Sequence, residues 1–224
     1  MNNADSRRDF LLITGVAAAS IITGCGKESE GEDVSTNEDL MREHGVLKRV
    51  LIIYDEAANR LKNGIAVDLS LLNRSATLIK TFIEDYHEKL EEDHLFPRFE
   101  KAGQLTDLTK VLRLQHQKGR LLTQRILTTT KRQNLSEAER MLLTGDMQAF
   151  IRMYSPHEAR EDTVLFPALH KLISKHEYDA LGEDFEKIEK QRFAGDGFDM
   201  AVGQVTAIEK ALGIYDLNLF TPNI

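Results

Sequence analysis

The strongest constraint on this chain is one pattern that occurs twice. Residues 87–97 read HEKLEEDHLFP and residues 157–167 read HEAREDTVLFP, so both follow H-E-x-x-E-acid-x-x-L-F-P in register. Their partners repeat as well: His44 precedes His87 by 43 residues, and His116 precedes His157 by 41. Two copies of one supersecondary unit bury their apolar faces on each other. Duplication alone accounts for the Leu, Phe and Pro as core and capping residues, but not for a His and a Glu that both face inward.

Apolar residues recur at helical spacing in four long segments. The first runs from about Glu38 to Lys62, with Leu40, His44, Leu47, Leu51, Tyr54, Ala58 and Leu61 on one stripe, and stops at Asn63-Gly64. The second starts at Asp68, a good N-cap, and passes through Leu72, Ala76, Ile79, Ile83, His87 and Leu90 to the region of Pro97. A third follows Thr106 through Leu112, His116, Leu122 and Ile126 to about Arg132. The fourth opens at Ser136-Glu137-Ala138-Glu139, which has capping-box spacing, and runs through Phe150, Met153 and His157 to about Leu169. Short loops make successive helices antiparallel neighbours. The fold class predicted is all-α: an up-down-up-down four-helix bundle of two repeated helical hairpins, with additional C-terminal helices.

Residues four apart lie on one helix face, so His87 with Glu91, and His157 with Glu161, each present an imidazole and a carboxylate to one point. Alternate helices run in opposite directions, which brings His44 and His116, near their helix starts, level with His87 and His157. All six groups can converge at one end of the bundle. Burying two carboxylates without cations costs several kcal/mol per charge, and a metal pair offsets this directly. The single cysteine, Cys25, rules out a thiolate site and an internal disulfide, leaving His and carboxylate as the ligands. Four imidazoles and two bridging carboxylates supply about eight bonds where two octahedral ions want about twelve, so a bridging oxide or hydroxide leaves roughly two positions open. Closed tetrahedral zinc fits poorly; two Fe ions fit well, with Mn or a mixed-metal pair behind them.

These residues resemble the hemerythrin-like HHE cation-binding domains. The resemblance covers nearly the whole chain after the N-terminus, including Phe193-Ala194-Gly195, Asp196-Gly197-Phe198 and the stretch Ala207 to Asp216. It implies that His44, His87, Glu91, His116, His157 and Glu161 are di-iron ligands, with the two Glu as bridges. One departure stands out. Oxygen-carrying hemerythrins bring a second histidine from the third helix one turn after the first, where this chain has Arg120. The site is therefore expected to be more open, or to recruit a substitute.

His94 follows Glu91 by three residues and is the first candidate substitute; the other reading is a partly exposed helix-end residue. Glu91 to His94 also spells Glu-x-x-His, as in ferritin-like di-iron sites. That pattern fails at Val164 in the second repeat, and the other two helices offer His44 and His116 instead of Glu. Glu88 and Glu158 are either acceptors that orient an imidazole or solvated residues. Tyr54, Tyr86 and Tyr154 occupy core-compatible positions from which a hydroxyl could meet a metal-bound species or simply pack. Pro156 is expected to interrupt and bend the fourth helix, and His170 and His176 to lie at the surface.

The N-terminus reads as an address. Ser6-Arg7-Arg8-Asp9-Phe10-Leu11 resembles a twin-arginine export signal, and the apolar run Leu11 to Thr23 is too short to span a bilayer comfortably. Ile22-Thr23-Gly24-Cys25 resembles a bacterial lipobox, which makes Cys25 the lipid anchor; a secretory signal cut near Ala19 or Ser20, or an uncleaved anchor helix, are the alternatives. The organisation expected is an export signal over 1–24, an acidic tether over 25–38, a hemerythrin-like bundle over 39–173 and a C-terminal helical extension over 174–224 packed on it.

Lys plus Arg number 29 against 36 Asp plus Glu, a net charge of -7 that leaves no electrostatic footprint for nucleic acid. The function expected is an exported di-iron protein, periplasmic or cell-surface and held to the membrane by its lipid. It binds O2, NO or a related small ligand for sensing, buffering or protection. A di-iron peroxidase or oxidase, whose ligand is a peroxide, is the alternative, and a metal-free helical interaction scaffold the second alternative.

Overall fold

The computed structural model describes residues 34–224. The expected export signal with Arg7 and Arg8, the lipid anchor Cys25 and the tether as far as residue 33 lie outside the described residues.

The described chain is helical, with four long helices forming the bundle. Helix α1 (Thr36–Lys62) begins earlier than its apolar stripe suggests, because the Ser35 side chain accepts from the Glu38 amide and Glu38 and Asp39 sit favourably in the first turn. Helix α2 runs over 69–102 from the Asp68 cap. Gly103, at φ 65°, ends it in a left-handed conformation that glycine adopts without strain. Helix α3 spans Thr106–Thr130, and α4 runs over 137–172 from a capping box in which Ser136 and Glu139 cap each other's amides. Helix α1 packs against α4 and α2, and α3 against the same two, which closes the ring of four. Among the described residues no helix is long and apolar enough to cross a membrane.

Both repeat-bearing helices continue straight through their prolines, to Ala102 and Leu172. A proline lacks the N–H that an α-helix needs. The helices absorb this with a π turn just upstream, at Glu91–Leu95 and again at Glu161–Leu165. There the Phe96 amide donates to the Glu91 carbonyl and the Phe166 amide to the Glu161 carbonyl. Each π turn starts on the repeat's inward glutamate, and such turns concentrate where a helix must aim a functional side chain. A further π stretch, Ile79–His87, occurs only in α2. Pro156 does not interrupt α4, contrary to expectation; Glu137–Arg160 is one α-helix around it.

Two further helices, α5 (Lys175–Phe193) and α6 (Gly197–Leu212), cover the outer sides of α1 and α2. They are tied down by specific contacts as well as apolar burial. The Tyr178 hydroxyl accepts from the Asn37 amide at 2.8 Å, and the Arg60 guanidinium donates to the Leu212 carbonyl at 2.9 Å. Phe193 packs edge-on to Tyr86 at 5.2 Å, and Arg49 pairs with Glu209.

Candidate metal centre

The six inward groups meet. His44 comes from α1, His87 and Glu91 from α2, His116 from α3, and His157 and Glu161 from α4; all are buried, Glu91, His116 and Glu161 completely. The His44 and His87 Nε2 atoms are 3.0 Å apart, and those of His116 and His157 3.3 Å. Each glutamate touches one histidine of each hairpin. Glu161 Oε2 lies 3.4 Å from His44 Nε2 and 3.0 Å from His157 Nε2. Glu91 turns one oxygen to His87 Nε2 at 3.7 Å and the other to His116 Nε2 at 3.4 Å. The side chains cluster as two sets that could each hold a metal ion, Glu91 with His116, His157 and Glu161, and His44 with His87 and Glu91.

The Nδ1 atoms settle what the Nε2 atoms can do. His87 Nδ1–H donates to Glu43 Oε2 at 2.6 Å, and His44 Nδ1–H to Asp162 Oδ1 at 2.7 Å. His116 Nδ1–H donates to Glu92 Oε1 at 3.1 Å, and His157 Nδ1–H to Gln115 Oε1 at 2.9 Å. With the proton on Nδ1, each Nε2 presents a lone pair inward. The four carboxylate oxygens of Glu91 and Glu161 have no hydrogen-bond partner. Buried polar atoms almost always find one. With the rings in this tautomer, four imidazole lone pairs and two buried carboxylates converge on one pocket, a donor set that suits cations.

Electrostatics express the same demand. Burial and the neighbouring Glu161 push the Glu91 carboxyl well above the ordinary range. Burial works in the same direction on Glu161, but His157 and His44 outweigh it and hold that carboxyl well below. Burial lowers the imidazoles of His87 and His116, the latter to about 4, keeping them neutral as ligands must be. For His44 burial is opposed by Asp162 and Glu161, which raise it to about 9.

The repeat explains more than the ligands. Phe166 stacks on His44 at 5.4 Å and Phe96 on His116 at 5.6 Å, each covering a histidine of the other hairpin. The residue four after each N-side histidine is a cation, and it reaches the glutamate that follows a C-side histidine. Lys48 pairs with Glu158, and Arg120 with Glu88 at 2.8 Å. Arg120 also holds Glu92 at 2.8 Å, so the position that carries a ligand in oxygen-carrying hemerythrins is an ion-pair anchor. Tyr154 donates its hydroxyl to Glu88 at 2.6 Å, and Gly119 makes room for that ring.

Several expectations change. Glu88 and Glu158 do not orient imidazoles; they are buried ends of these ion pairs. The orienting acceptors are Glu43, Asp162, Glu92 and Gln115, which lie one residue before a histidine or one after a glutamate; Glu92 and Asp162 fill the acid position of the repeat, but the sequence does not show which histidine they meet. His94 is not among the clustered groups; it packs half-buried and edge-on to Phe185 of α5 at 5.6 Å. Tyr54 and Tyr86 are buried within the core. His170 and His176 are exposed, as expected.

Comparison with known proteins agrees with this geometry. The family model described as hemerythrin HHE cation binding domain matches residues 35–169, ending before α5 and α6. A protein of Mycobacterium tuberculosis strain H37Rv and one of Mycobacterium bovis, both described as uncharacterized, are each 53% identical over 191 residues, covering 85% of this chain and 75% of the relative. No solved structure gives a significant match.

Proposed function

The chain belongs to the hemerythrin HHE cation-binding family, and from that premise we propose that it is an exported di-iron protein that binds O2, NO or a related small ligand. Its six ligands are His44, His87, Glu91, His116, His157 and Glu161, with the two glutamates as bridges. The observation that carries this reading is the convergence of the site: four Nε2 atoms and the carboxylates of Glu91 and Glu161 face one another with every Nδ1 already engaged. A metal-free scaffold would leave the Glu91 carboxyl buried beside Glu161 with no hydrogen-bond partner for either oxygen.

Iron supplies open coordination positions and electrons for a small ligand. The protein supplies the rest. Glu43, Asp162, Glu92 and Gln115 fix the four rings in one tautomer, which raises the basicity of Nε2. Phe96 and Phe166 shield the rings from water. Nitrogen-rich ligation by four imidazoles suits iron, where a carboxylate-rich set suits ferroxidase chemistry. One feature supports the enzymatic alternative, a peroxidase or oxidase. Arg120 stands where oxygen-carrying hemerythrins place a further histidine, so an ion on the α3 side would be held by His116, His157 and the two glutamates and would keep an open position.

Metal analysis with visible spectroscopy tests the reading. About two irons per chain are expected, with an absorption that changes on adding azide or peroxide. Steady peroxide consumption selects the enzyme; ligand binding without turnover selects the binder. His116→Ala and His157→Ala are each expected to lower the iron content, and unchanged iron in both would contradict the ligand assignment.

Delivery to the periplasm or cell surface, with the lipid on Cys25 as anchor, belongs to the same proposal and rests on Arg7, Arg8 and the residues before Cys25. A folded-protein export route lets the chain take up iron in the cytoplasm, away from tighter-binding copper and zinc. Lysine at both arginine positions is expected to hold the precursor in the cytoplasm; undiminished export of that variant would overturn the route.

A further inference from the structure

We propose that the two metal positions are unequal, the ion on His116 and His157 being the weaker-held and exchangeable one, and that Gln115 is the positioning residue responsible. This rests on the dinuclear reading above. The centre has an approximate twofold pattern: the residue before each N-side histidine accepts the Nδ1–H of the C-side histidine in its own hairpin. In the first hairpin that residue is Glu43, which is buried and lies 2.6 Å from His87 Nδ1. In the second it is Gln115, a neutral amide 2.9 Å from His157 Nδ1. The symmetry breaks at this one side chain, a carboxyl in the first hairpin and an amide in the second.

The other pair of acceptors reinforces the difference. Asp162 takes the His44 Nδ1–H at 2.7 Å, whereas Glu92 takes that of His116 at 3.1 Å while also binding Arg120 at 2.8 Å. A guanidinium that draws on the same carboxylate weakens its pull on the imidazole proton. On the α1 side, Lys48 reaches Glu158 and, among the described residues, no ion pair links it to Asp162. An imidazole whose N–H is drawn toward a carboxylate gains imidazolate character and binds a cation more strongly. Both histidines of the first pair have that support in full; of the second pair, one has an amide and the other a shared carboxylate. Loss of metal is thereby assigned to the ion on His116 and His157.

Outer-shell partners of metal-bound histidines change affinity by roughly 10- to 100-fold. Titrating the metal-free full-length protein with cobalt(II), followed by its visible bands, is expected to show two steps separated by at least about tenfold. Gln115→Glu, nearly isosteric, is expected to strengthen the weaker step and shift its bands while leaving the stronger one in place. Glu43→Gln is expected to weaken the stronger step, and His157→Ala to remove the weaker one. Two ions that bind indistinguishably in the wild type, or a weaker step that Gln115→Glu leaves unmoved, would overturn the inequality while leaving the dinuclear centre intact. Binding of fewer than two ions by the wild-type protein would overturn both.

Discussion

Replacing Glu91 with glutamine is expected to abolish binding of the metal pair and, in the metal-free protein, to raise the melting temperature. The two effects have one cause. In the wild type, the two Glu91 oxygens, without hydrogen-bond partners, face the Nε2 atoms of His87 and His116 at 3.7 and 3.4 Å. A glutamine keeps the shape, removes the charge and adds an N–H pair that can donate to the facing Nε2 atoms. Burial and the neighbouring Glu161 disfavour the ionised form of Glu91, so a neutral amide in its place stabilises by about 1–3 kcal/mol. In a domain of this size each kcal/mol is worth roughly 2–4 °C. Metal reverses the order: an ion present at about 100 times its dissociation constant stabilises the wild type by about 2.7 kcal/mol and leaves the variant unchanged. Thermal melts with and without iron(II) measure both. A metal-free variant less stable than the wild type, or one that still binds two irons, would show that Glu91 is not there for a cation.

Gly119→Ala is the second change with a large expected effect, and it acts through packing. A methyl group at Gly119 would lie 1.9 Å from the Tyr154 hydroxyl oxygen and 2.7 Å from its Cζ. The ring is buried against Phe150 and His157, at 4.4 and 5.2 Å, and has little room to withdraw. Moving it breaks the 2.6 Å hydrogen bond to Glu88 and strips one partner from a buried carboxylate. Overpacking costs about 1–3 kcal/mol, and losing a hydrogen bond to a charged group about 1.5–3 kcal/mol. A loss of roughly 3–5 kcal/mol in chemical denaturation is expected, against well under 1 kcal/mol for Gly145→Ala, where the added carbon meets nothing within 4 Å. Equal effects at the two positions would mean that Tyr154 is not held as described.

The bundle and the six converging groups were legible because ligands on a helix obey its period: His87 with Glu91 and His157 with Glu161 share a face by spacing alone. The groups that orient them were not, for the same geometric reason. Glu43, Gln115, Glu92 and Asp162 adjoin a ligand in sequence, so they lie about 100° around the helix from it. There they point toward a neighbouring helix, and only the assembled bundle shows which histidine they meet. Glu88 and Glu158 were legible as candidates and given the wrong work, since the cations they bind, Arg120 and Lys48, come from other helices. The π turns were hidden too. Pro97 and Pro167 announce a missing hydrogen bond, but tertiary packing decides whether a helix breaks or widens there.

Iron-edge anomalous diffraction from crystals of the iron-loaded protein tests the central claim most directly. Two peaks are expected, one against the Nε2 atoms of His44 and His87 and one against those of His116 and His157, with Glu91 and Glu161 both reaching each peak. A single peak, or density away from these six side chains, would contradict it.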